Sequence, residues 1–265
     1  MEIGLLQKKF ARMGARLQIG EARSRWPPEG GIDIGADSKG EYFDIRLPPD
    51  EAIEYEVIDL RPEMRHLLLL ARRENGSKEK FLCGHDERHW FVCAVPGKSV
   101  QGVRAAMEAL QPPAARMAID NRLRRMKNRL RRRNEAFVRQ GEWFFIPEPE
   151  LKVDEKLVHR NEPISRGNGG KPHMCQYLYR MGGVLVMVNW KYPQGLTMSE
   201  YEKLIAARPS ARRLNWTRMQ RGAGVYVRGR VWHADHKTIV LNGWHRVEMN
   251  TEGIAPGSQR VVFLD

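Results

Sequence analysis

Between Ile32 and Leu47 the chain alternates apolar and polar residues on both sides of Asp37-Ser38-Lys39-Gly40. A polar, glycine-containing turn between two period-two runs predicts a β-hairpin. Similar signals recur through the first third of the sequence. Ile53, Tyr55 and Val57 alternate with Glu54 and Glu56, as in a half-exposed strand. By periodicity Leu67-Leu68-Leu69-Leu70 fits either a buried strand or a helix segment. The turn residues Glu74-Asn75-Gly76-Ser77, ahead of Lys80-Phe81-Leu82-Cys83, favour the strand. Trp90 to Val95 reads as another buried strand, stopped by Pro96-Gly97.

Beyond Pro96 the pattern changes. Ser99 is placed to cap a short helix with Val100, Val103, Met107 and Leu110 on one face, ended by Pro112-Pro113. From Ala114 to about Arg139 there is no Gly or Pro, and Ile119, Leu123, Met126, Leu130 and Phe137 fall at helical spacing. Trp143 to Ile146 and Val184 to Trp190 are strand-like. Thr197 with Glu200 forms a capping-box pattern for a helix running to Pro209. A second helix is expected over Ala211 to Gln220. Two or three strands follow over Val225 to Val247, with a turn at Asn242-Gly243, and Val261 to Leu264 is a last candidate strand. The fold class predicted is α+β: a β-rich N-terminal half, a long basic helix, and a mixed α/β C-terminal half. The corresponding divisions are 1–111, 112–140 and 141–265.

Charge narrows the function classes. Lys and Arg total 45 against 32 Asp and Glu, a net charge of +13 over 265 residues. Such an excess points to a polyanionic partner, nucleic acid first. No apolar run approaches the ~20 residues a membrane span requires, so no membrane partner is expected. Residues 1–16 mix Lys and Arg among the apolar residues and lack the unbroken core of a secretory signal. Three cysteines, Cys83, Cys93 and Cys175, suit a reducing cytoplasm better than a disulfide framework.

The strongest functional signal lies in residues 112–139. Arg116, Arg122, Arg124, Arg125, Lys127, Arg129, Arg131, Arg132, Arg133 and Arg139 face only two acids there, Asp120 and Glu135. A helix docked by its apolar stripe would present guanidinium groups outward, each able to grip a phosphate with two hydrogen bonds. DNA or RNA is the expected partner, with an acidic protein as the alternative. Arg212, Arg213, Trp216 and Arg218 form a second basic and aromatic cluster suited to phosphates and bases. Trp216 is equally suited to filling core.

No cofactor is required by the fold, and a divalent metal is possible at two histidine-containing sets. Cys83, His85, His89 and Cys93 offer four zinc-type ligands in one short stretch, although the flanking strands also read as a plain hairpin. His233, Asp235, His236 and His245 form a second set, able to bind an ion or activate water as a metal-dependent hydrolase would. Their residue types, with Asn242, resemble those of a ββα-metal nuclease, but the separations are too short for that motif's hairpin and helix. His173 and Cys175 add further donors after the loop Arg166-Gly167-Asn168-Gly169-Gly170-Lys171-Pro172. That loop lacks the spacing and the hydroxyl of a phosphate-binding P-loop.

Overall fold

In the computed structural model, residues 3–21, 31–49, 51–165 and 171–254 are described. They fall into two units, 3–135 with 249–254 and 136–248. The first holds α1 (Ile3–Arg12), β1 (Leu17–Glu21), β2 (Gly31–Asp37), β3 (Gly40–Leu47), β4 (Ile53–Arg61), β5 (His66–Arg73), β6 (Lys78–His85), β7 (Trp90–Ala94), α2 (Val103–Ala109) and α3 (Pro113–Arg122). The second holds β8 (Val138–Gln140), β9 (Trp143–Pro147), β10 (His159–Ile164), β11 (His173–Met181), β12 (Val184–Asn189), β13 (Tyr192–Thr197), α4 (Met198–Ala207), β14 (Thr217–Arg221), β15 (Gly224–Trp232) and β16 (Ile239–Met249). The architecture is mixed α+β, with a β-rich N-terminal half.

In the first unit β2 and β3 form the expected hairpin, and β1 pairs parallel to β3. β4 to β7 make an antiparallel four-stranded meander. The leucine run lies in β5 and is covered on both faces, which explains why it does not alternate with polar residues. Leu67 and Leu69 pack with Phe10 of α1 and Phe43 of β3. Leu68 packs with Leu82 and with Val103, Ala106 and Leu110 around α2.

The cap of α2 comes from a distant strand. Ser99 lies before the helix, Gly102 is the N-cap, and the Asp59 carboxylate accepts the Val103 N–H at 2.9 Å. Asp59 follows a bulge in β4 that turns it toward the helix start. Burial opposes its charge, but the Val103 N–H and Arg61 outweigh that and hold its pKa below the ordinary carboxylate value.

The long basic helix is not formed. α3 stops at Arg122, and Leu123 is already extended. A short 3-10 turn at Met126–Asn128 and irregular backbone lead to the three-residue strand β8. Two causes act together. A continued helix would stack cations at i, i+3 and i+4, which destabilises it. Tertiary bonds also take the backbone elsewhere: the buried Gln111 amide donates to the Arg129 carbonyl, and Asn134 donates to the carbonyls of Asn128 and Arg131.

In the second unit the main sheet runs β10-β11-β15-β16-β9-β8, and β13-β12-β14 form a second sheet. The Thr197–Glu200 capping box opens α4 as expected. The helix expected over Ala211 to Gln220 is instead a 3-10 turn at Pro209–Arg213 followed by β14. The Trp216 indole N–H donates to the Ala211 carbonyl at 2.9 Å and closes that turn. The next residues pair with β12. Asn242-Gly243 is not a turn but an irregularity within β16, where Gly243 takes φ +82°. The reversal falls at residues 233–238. Val261 to Leu264 lie outside the described residues.

Candidate functional site

The ten basic residues of 112–139 divide into two groups. Arg129, Arg132 and Arg139 are held by their own chain. Arg129 pairs with Glu108 at 3.4 Å, and Arg132 pairs with Asp86 and with Glu87. Arg139 donates to the Gly141 carbonyl and covers the Phe144 ring. Arg116, Arg122, Arg124, Arg125, Lys127, Arg131 and Arg133 are exposed. α3 sets this division at its own level, since Ala115, Ala118 and Ile119 are buried while Arg116 and Arg122 lie outward. Met126, expected in the apolar stripe, is 49% exposed because the helix has ended.

Arg212, Arg213 and Arg218 are also exposed. Trp216 is placed by packing. Its ring stacks on Tyr192 at 5.5 Å and meets Tyr201 edge-on at 5.0 Å. All three rings are half-buried, so these contacts fix the Trp216 ring while part of it stays open to solvent.

Cys83, His85, His89 and Cys93 do not converge. Cys83 faces Val92 across β6 and β7, and Cys93 faces Leu82, so the two thiols lie on opposite sheet faces. Cys83 is fully buried, and burial raises its pKa well above the ordinary thiol value. His85 packs edge-on to Trp90, and burial, followed by the charge of Arg65, lowers its pKa. His89 is tied to Glu41 at 2.6 Å.

The second histidine set is partly assembled, with a partner from another strand. His233 and His236 lie in the connection from β15 to β16. His173 opens β11 beside the end of β15. The His173 ring stacks on His233 at 4.2 Å and on His236 at 5.3 Å, and His233 and His236 are 4.9 Å apart. One donor atom from each lies within 4.8 Å of the others, the only such group among the described residues. Burial, then the neighbouring His233 and His236, pushes the His173 imidazole down to about 3.

Asp235 stands at the rim, bonded to Lys171 through both oxygens, with one oxygen 4.0 Å from His233 Nδ1. His245 is not in the group. It is buried in β16, with its Nδ1 on the Gly243 carbonyl. Cys175 is buried and also stands apart, its thiol pushed up to about 12 by burial.

The contribution of Gly141 was not visible in the sequence. It lies in the two-residue turn between β8 and β9, at φ +57°. A Cβ there would stand 2.8 Å from His236 Nε2 and 3.4 Å from His173 Nε2. The Gln140 amide ties this turn to the carbonyls of Val231 and Lys237.

Comparison with protein-family models, with curated proteins and with solved structures finds no match for the chain.

Proposed function

We propose that the chain binds the phosphate backbone of DNA or RNA through the exposed cations of residues 116–131. One observation carries this reading. Arg116, Arg124, Arg125, Lys127 and Arg131 are exposed and make no ion pair with a carboxylate among the described residues. Guanidinium groups left in water are available to a phosphate oxygen at little desolvation cost. Loss of the continuous helix changes the geometry of contact, from a rod lying in a groove to an irregular, arginine-bearing surface. Such a surface suits sequence-independent contact with backbone. No helix among the described residues is long and apolar enough to cross a membrane.

The test is a binding titration with fluorescent DNA and RNA oligonucleotides, comparing the chain with an Arg124→Glu, Arg125→Glu, Arg131→Glu variant. These side chains are exposed, so the variant should fold. Loss of binding by more than tenfold supports the proposal. Equal binding by the two proteins overturns it, as does the absence of measurable binding by the parent chain.

A further inference from the structure

We propose that His173, His233 and His236 bind one divalent transition-metal ion of the zinc class, with the fourth position left to solvent. The site is assembled by strand order rather than by sequence proximity. His173 begins β11, His233 and His236 follow β15, and the Gly141 turn is fixed against the same place by Gln140.

Three features point to an ion rather than to packing alone. First, His173 is 2% exposed and its Nε2 has no hydrogen-bond partner among the described residues. A buried polar atom left unpaired is costly, and a metal ion is the partner that ring nitrogen lacks. Second, His173 Nε2 and His236 Nε2 both face the space beside Gly141 Cα, which any side chain at 141 would fill. Glycine is favoured there by the left-handed turn, and it leaves the space open. Third, the tautomer of His233 is fixed. A carbonyl can only accept, so His233 Nε2 carries the proton that bonds to Lys171 O at 3.1 Å. Nδ1 therefore holds the lone pair, which now accepts the Asp235 N–H at 3.1 Å. A metal-ligating histidine commonly donates its other N–H to a backbone carbonyl in this way. Ligation by Nδ1 exchanges one modest hydrogen bond for a metal bond.

The donor set selects the class of ion. Three neutral imidazole nitrogens suit zinc, nickel or copper and not magnesium or calcium, which take oxygen ligands. Three protein ligands also match the open coordination of zinc sites that keep a water. The rings of His173 and His233 are now 18° from parallel. An ion lies in the plane of each imidazole that holds it, so binding turns the His173 ring relative to that of His233 about χ2, a soft torsion. Asp235 is positioned to take up charge at the rim once an ion is present.

The test uses the full chain without a polyhistidine tag, stripped with chelator and titrated with Co2+ and then Zn2+. The expected result is one equivalent of Co2+ with visible ligand-field bands, displaced by Zn2+, and a melting temperature raised by Zn2+. His173→Gln and His236→Gln should each weaken binding by more than about 100-fold, beyond the loss typical of an outer-shell change. His159→Gln, an exposed histidine outside the group, should bind as the parent does. His236 is only half-buried, so His236→Gln carries the test even where His173→Gln fails to fold. Absence of saturable Co2+ binding by the parent chain overturns the proposal. Unchanged affinity in His236→Gln overturns it equally.

Discussion

The side-chain amide of Gln111 donates to the backbone carbonyl of Arg129 at 2.9 Å. This bond reaches across the stretch where a helix would otherwise continue, and Gln111 is only 2% exposed. It links the end of α2 to the arginine-rich segment and holds that segment's irregular path. Gln111→Ala should destabilise the protein by about 1–2 kcal/mol, the usual cost of leaving a buried carbonyl unpaired. Amide exchange over residues 125–135 should accelerate in the same variant. Unchanged exchange there would mean that other contacts set the path.

Asp59 gives the first unit a defined acid sensitivity. Its pKa is lowered in the folded chain, so the stability it contributes is present above the unfolded value of about 4 and is lost as pH falls through the folded value. Asp59→Asn should lower stability at pH 7 by about 0.5–2 kcal/mol, the range for a helix cap. Near pH 2 the parent and the variant should converge. Urea midpoints at both pH values check this, and a gap that persists in acid contradicts it.

Trp216 separates packing from recognition. Its contacts with Tyr192, Tyr201 and the Ala211 carbonyl lead us to expect that Trp216→Ala costs about 3 kcal/mol. Nucleic-acid affinity of the folded fraction should be unchanged. A selective loss of affinity, with stability intact, would place the ring in the interface.

Gly141→Ala tests the shape of the histidine site without removing a ligand. The added Cβ meets His236 Nε2, and alanine is strained at φ +57°. Metal-free stability should fall by about 1–2 kcal/mol, and the Co2+ bands should be lost. Retained bands in Gly141→Ala would place the ion away from this turn.

Much of the first unit is legible in the sequence because its strands announce themselves locally. The Ile32–Leu47 alternation and the leucine run of β5 carry their signal within a few residues, as does the Thr197–Glu200 capping box in the second unit. The failures share one cause, which is that distant partners decide the outcome. Residues 114–139 satisfy a helical period, yet Gln111 and like-charge repulsion end the helix at Arg122. The stretch over Ala211 to Gln220 has no strong breaker, yet its end pairs with β12. Asn242-Gly243 has the composition of a turn, and the pairing of β15 with β16 makes it an irregularity within a strand. The histidine group shows the same limit. His233 and His236 are neighbours in sequence, but His173 and Gly141 join them only through the order of strands in the sheet.

Salt dependence tests the central claim most directly. Five phosphate contacts give a slope of about −4.5 in log affinity against log salt for duplex DNA. Between about 50 and 200 mM salt this amounts to roughly a 500-fold loss of affinity. The Arg124→Glu, Arg125→Glu, Arg131→Glu variant should show a slope near −2 or no measurable binding. Affinity that does not change with salt, or a parent slope matched by the variant, would contradict the assignment of this surface to nucleic-acid backbone.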